Sequence, residues 1–255
     1  MPARPGNLSG HAGSRLRWAT LLLAGAVITA TVGEALSATW QDGELRPDLS
    51  PRKIFAMLFL MLGPLKVLGP FVEHTRGRER PVQIRMATVA IFYSAAALMV
   101  AGLLGKQILD NFGISVPVVA LTGGMILVLM ALQTVLTQSA GPQPKPLAPD
   151  LPVRRIAINP IAFPIIVTPY GIAAVIVFTT LAQGDAALIA TIAGVIAVIL
   201  FMDWLAMIFA VPILKWIGTS LQIAAVVLGV AQIALGLQVM LHSLVMLGVL
   251  SLPPA

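Results

Sequence analysis

Two charged side chains stand where charge is least expected. Lys66 falls within the apolar run from Ile54 to Val72 and Asp203 within the run from Ala187 to Phe209, whereas nearly every other charge beyond the N-terminal region lies in a connection or at the edge of a run. A charge at the centre of a bilayer costs about 2.5 to 3.5 kcal/mol on insertion scales, so an ionisable residue there marks a relay, a counter-ion or a substrate contact by default. As chemistry, Lys66 and Asp203 make a buried pair or a proton- or ion-coupled switch. As structure, Lys66 snorkels to the interface and Asp203 accepts hydrogen bonds from a neighbouring helix.

The second feature is a break. The run from Ile156 to Ala182 is long enough to cross a membrane but carries Pro160, Pro164, Pro169 and Gly171. Each proline removes a backbone donor and disrupts the helix one turn back. Irregular backbone inside a bilayer is tolerated only where protein or a water-lined cavity satisfies the freed groups, which is where transporters bind cargo. The alternative is a simple kink, since proline and glycine are common in membrane helices. Asn159, Thr168 and Tyr170 gather around these prolines, and a half-helix starting after Thr168-Pro169 would aim its amides inward, suiting an anionic or carboxylate-bearing solute. With Gly63-Pro64 interrupting the first run, the expected pathway is Pro64, Lys66, Asn159, Pro160, Thr168, Pro169 and Tyr170, with Asp203 as the coupling group. Gln133, Gln222, Gln232 and Gln238 are read as links between helices. None of His11, His74 and His242 is read as a metal ligand, and no metal or cofactor is expected.

Other chemistries lack their residues. There is no P-loop, nucleophile elbow or paired-histidine metalloprotease helix, so neither nucleotide hydrolysis nor another enzymatic activity is expected. Cysteine is absent, which excludes disulfides and thiolate sites.

The elements that must position these residues are membrane spans. The chain is 58% hydrophobic and 10% charged, with a mean hydropathy of +0.95; that is a polytopic membrane protein whose partner is the lipid bilayer. The net charge of +6 does not indicate nucleic acid, because the basic residues fall mainly in short connections. Residues 1–38 form either a secretory signal peptide, cleaved near Ala38, or an uncleaved N-terminal helix. A polar segment, 39–53, follows. Six spans of roughly 20 residues or more are marked at Ile54–Val72, Met86–Leu104, Ile114–Leu136, Ile156–Ala182, Ala187–Phe209 and Leu221–Leu250. Arg76, Arg78, Arg80 and Arg85 follow the first span, Lys145, Arg154 and Arg155 follow the third, and Lys215 follows the fifth. These connections belong in the cytoplasm, leaving the mature N- and C-termini periplasmic.

The halves resemble one another. Gly63-Pro64 corresponds to Asn159-Pro160, Gly69-Pro70-Phe71 to Thr168-Pro169-Tyr170, and Ala87-Thr88-Val89-Ala90 to Ala190-Thr191-Ile192-Ala193. In spans three and six, Gly124 and Gln133 correspond to Gly229 and Gln238. Three spans per half is an odd number, so the halves lie in opposite orientations. The expected fold is therefore an all-α membrane protein, six transmembrane helices as two inverted three-helix repeats (54–136 and 156–250) joined by a cytoplasmic loop (137–155). Shared membrane composition is the competing explanation.

MLGPLKVLGPF at Met61–Phe71, INPIAFPIIVTPYGIA at Ile158–Ala173 and GVAQIALGLQVML at Gly229–Leu241 resemble segments of the MarC family of bacterial integral membrane proteins, over roughly Ile54 to Leu250. The resemblance implies a six-span inner-membrane protein grouped with the lysine exporter superfamily of small-solute exporters. Many members carry glycine where this chain has Lys66, and place the second proline one position before Pro70. The expected function is a secondary transporter, an exporter of a small polar solute by alternating access, with a homo-oligomer compatible with the sequence. The competing readings are a membrane accessory or stress-response protein acting through partners, and a passive channel.

Overall fold

Proline and glycine set the element boundaries. The computed structural model describes residues 50–139 and 152–250, with backbone alone at 137–139 and 216–224. The expected signal segment, nearly all of the polar segment after it, and much of the central loop lie outside those residues. So does the side chain of Gln222.

All regular structure among the described residues is helical. Helix α1, Pro51–Leu62, starts with proline in its first turn, where a missing N–H costs nothing. It stops at Gly63, whose extended backbone (φ −66°, ψ 166°) precedes Pro64, the residue type that drives its predecessor out of the helical region. Helix α2, Leu65–Thr75, continues the same span. Helix α3, Arg80–Phe112, ends on Gly113 in the left-handed conformation (φ 64°) that glycine adopts without strain. Helix α4 is Val116–Ser139 and a single turn, α5, is Val153–Ile156. An interrupted helical segment, Ala157–Ile166, leads to α6, Pro169–Leu181, and the two halves of this span meet at a 62° bend. Helices α7, Ala186–Ile208, and α8, Ala210–Met246, complete the chain.

Among the described residues five helices, counting α1 and α2 as one, are long and apolar enough to cross a membrane, and the count is six when the bent pair is taken as one span. This protein is a multi-pass membrane protein. Each expected span falls on a helical segment, but the helices run past the expected limits, most of all at α3, which carries Arg80, Arg85, Lys106 and Asp110, and at α8, which begins at Ala210 and carries Lys215 within a helix instead of a loop. Pro212 sits in its first turn, where proline is tolerated, and no other strong breaker follows.

Glycine governs the packing. Gly124 on α4 lies against the backbone of Gly236 and against Met240 on α8, while Gly229 on α8 lies against Val135 and Ala131 on α4, an antiparallel pair in close approach. Gly102 and Gly105 admit Val175, Thr179 and Ile176 of α6 against α3. The Trp204 indole N–H donates to Thr88 Oγ (3.2 Å), fixing α7 on α3. Hydroxyls are mostly satisfied within their own helices: Thr75, Thr122, Thr180, Thr191 and Ser243 each donate to the carbonyl four residues back.

Candidate functional site

Pro64 has no N–H, so the carbonyl of Leu60, four residues earlier, loses its helical donor. Gln232 of α8 fills the vacancy: its side-chain amide donates to Leu60 O at 2.6 Å. The next carbonyl, Met61 O, accepts from the Lys66 ammonium. Backbone groups exposed by the first break are thus held by side chains, as a low-dielectric surrounding requires.

The same ammonium reaches the second break. Ile166 is the last residue before the chain leaves helical geometry at Val167 (φ −88°, ψ 96°), and its carbonyl accepts from Lys66 Nζ at 3.4 Å. Lys66 Nζ also lies 5.5 Å from the centroid of the Tyr170 ring, within cation–π range. Leu62, next to the first break, presses on Gly171, next to the second, so closely that a Cβ at Gly171 would stand 2.5 Å from Leu62 Cδ2. The two broken spans therefore meet at their breaks, with Lys66 between them.

Thr168 caps α6, its Oγ accepting from Gly171 N at 3.2 Å, and Pro169 occupies the first turn. Thr168 and Tyr170 are buried there. Asn159 and Pro160 sit elsewhere, at the start of the interrupted segment. Asn159 (φ −135°, ψ 114°) and Phe163 (φ −133°, ψ 126°) are both extended, each immediately before a proline, and Asn159 is exposed. The structure thus joins Pro64, Lys66, Thr168, Pro169 and Tyr170 in one cluster and leaves Asn159 and Pro160 on the approach to it.

Asp203, on α7, is fully buried, and neither carboxylate oxygen has a hydrogen-bond partner among the described residues. It is close enough to Lys66 for the two charges to act on each other. The ammonium nevertheless spends its hydrogen bonds on carbonyls. Among the described residues the carboxylate accepts no hydrogen bond from a neighbouring helix, and Lys66 reaches across to the carbonyl of Ile166 in another span.

Two contacts and one buried hydroxyl escaped the sequence. Arg154 donates to Tyr93 OH from Nε (3.0 Å) and Nη2 (2.6 Å), the Lys106 ammonium donates to Gln183 Oε1, and Ser94 is buried with its hydroxyl unpartnered among the described residues. Only the first left a signal, an arginine just before a span that needs an anchor.

The family profile of the MarC family integral membrane proteins matches residues 52–247, a stretch that contains both breaks, Lys66 and Asp203. The chain belongs to the MarC family. Among its relatives, a UPF0056 membrane protein of Methanocaldococcus jannaschii is 29% identical over 48% of this chain and 60% of its own length. The UPF0056 inner membrane protein MarC of Escherichia coli O157:H7 is 31% identical over 47% of this chain and 57% of its own. A UPF0056 membrane protein of Archaeoglobus fulgidus is 26% identical over 72% of this chain and 87% of its own. The first two alignments each span less than two thirds of the relative. No solved structure matches the chain.

Proposed function

We propose that this MarC family member is a secondary transporter, an exporter of a small polar solute, in which the breaks of the first and fourth spans are the moving parts of alternating access. The observation that carries this reading is the meeting of the two breaks, where carbonyls beside them are held by exchangeable side-chain donors from Lys66 and Gln232 in place of fixed helical N–H groups. Side-chain hydrogen bonds can be traded for others without unfolding a helix, and discontinuous helices at a repeat interface are where carriers rock.

The contacts of α4 with α8 support an inverted repeat. The register that equates Gly124 with Gly229 and Gln133 with Gln238 also equates Ala131 with Gly236 and Val135 with Met240. Gly124 meets Gly236 and Met240, and Gly229 meets Ala131 and Val135. Each contact is the image of the other under exchange of the halves, as a two-fold axis in the membrane plane requires. The inner-membrane names of relatives support placement in the bacterial inner membrane, and the arginine-rich connections support periplasmic termini.

The test is counterflow and efflux of labelled amino acids, small anions and common drugs in proteoliposomes, with the unaltered chain beside Asp203→Asn. Saturable flux of one class, abolished or uncoupled in the variant, is the expected result. No flux above empty liposomes from folded, inserted protein would favour an accessory protein acting through partners.

A further inference from the structure

A carboxylate sealed from water with no donor on either oxygen is the costliest state that group can adopt, because desolvation is offset by no hydrogen bond. Asp203 stands in that position, and the ammonium that could relieve it is turned to Met61 O and Ile166 O. A carboxylic acid, by contrast, is neutral and tolerates the site. Of the charged and titratable groups on the elements packed against α7, Lys66 on α2 is the one whose charge acts on Asp203. The other such groups are Arg52 and Lys53 at the start of α1, Glu73 and His74 near the end of α2, Arg80, Arg85, Tyr93, Lys106 and Asp110 along α3, with Arg85 one turn from the Thr88 that meets Trp204, and Lys215 and His242 towards opposite ends of α8. Tyr170 on α6 faces Lys66. A metal cation at Asp203 would need several further oxygen ligands and would sit in the field of the ammonium. A proton needs neither.

Resting on the carrier reading, we propose that Asp203 is the proton-carrying group of this protein and that Lys66 is the arm that converts its protonation into movement of the two breaks. With the proton on Asp203, the ammonium clips the carbonyls of Met61 and Ile166 and holds the first and fourth spans together, which is the arrangement seen. When the carboxyl group releases its proton to water, the new carboxylate draws the ammonium away and both carbonyls lose their donor. The breaks then separate. One O–H bond is broken and later remade with a proton from water on the other side; no other bond changes. Acid pH therefore favours the clipped state, and rising pH releases it.

Two measurements on the full chain in liposomes test this without knowing the solute. The first is infrared spectroscopy across pH, looking for the carbonyl stretch of a protonated carboxylic acid. The band is expected at acid pH, should fade as pH rises, and should be absent from Asp203→Asn. The second uses the lack of native cysteine: spin labels at Glu73→Cys and Arg155→Cys, both exposed positions on the two broken spans, report their separation. A short distance at acid pH should give way to a longer one over the pH range in which the band fades. Asp203→Asn should hold the short distance at every pH, and Lys66→Met should remove the pH dependence of the distance while keeping the band. Absence of a band assignable to Asp203 would overturn the proposal. So would a distance that ignores pH while the band titrates, or a pH-dependent distance that survives Asp203→Asn. Neither measurement reads flux: a chain that moves no solute but passes both tests keeps the switch and loses the carrier, and one that moves solute but fails both does the reverse.

Discussion

A single missing N–H explains why Gln232 matters. Pro64 deprives Leu60 of its helical donor, and the amide of Gln232 replaces it across 172 positions of sequence. Gln232→Leu keeps most of the side-chain volume but leaves the carbonyl unpaired, which should cost about 1 to 2 kcal/mol. The expected result is a lower Tm in detergent. Pro64→Ala returns the N–H, so in that background Gln232→Leu should cost much less, and the double-mutant cycle should show coupling. Strict additivity would mean that Gln232 stabilises α8 by some other contact. Thr168 gives a second residue-scale prediction. Thr168→Val removes the oxygen that accepts from Gly171 N and should destabilise by about 1 kcal/mol, whereas Thr168→Ser should not, as thermal unfolding of the two variants would tell.

Helices here approach through glycine, and position decides what glycine is worth. At Gly124 an added Cβ would stand 2.8 Å from the carbonyl oxygen of Gly236, a backbone atom that cannot turn aside. At Gly194 an added Cβ meets nothing within 4 Å. Gly124→Ala should therefore cost about 1 to 3 kcal/mol by forcing α4 from α8, while Gly194→Ala should be neutral or gain roughly 0.5 to 1 kcal/mol from helix propensity; equal thermal shifts in the two variants would refute the packing argument. The same contrast explains what could be read from sequence. Breaks at Gly63-Pro64 and Thr168-Pro169 were legible because proline acts locally, through its own ring and missing N–H. The continuous start of α8 was not, since Lys215 marks a membrane edge whether the backbone there is loop or helix. The presence of Lys66 and Asp203 inside spans was legible, but the carbonyls Lys66 chooses were not. That choice depends on which break faces which, a tertiary fact with no local signal. Asn159 neighbours Thr168 and Tyr170 in sequence, but the extended turns at Asn159 and Phe163 carry it away from them.

For the molecule as a whole, the decisive element is the bent span, because a segment folded by 62° either crosses the membrane or turns back to the side it entered. Its two ends answer through α3. Arg154, at the start, is bound to Tyr93, and Gln183, just past the end, is bound to Lys106. Tyr93 and Lys106 lie about 20 Å apart along one continuous helix at 1.5 Å per residue. A re-entrant loop would bring both ends to the same level of α3, so the anchors favour a crossing, and the thirty or so residues between them take up the bend within that height. Six crossings return the chain to the side on which the first began; five would not. Alkaline phosphatase, active only outside the cytoplasm, should therefore be inactive when fused after Gly77, in the arginine-rich connection, and active when fused after Gly113 or after Leu250. An inactive fusion at Leu250 with the other two unchanged would make the bent segment re-entrant and leave an odd number of crossings. It would also remove the equal three-span halves on which opposed repeats depend, and with them the strongest structural reason for placing the moving parts of a carrier at the two breaks.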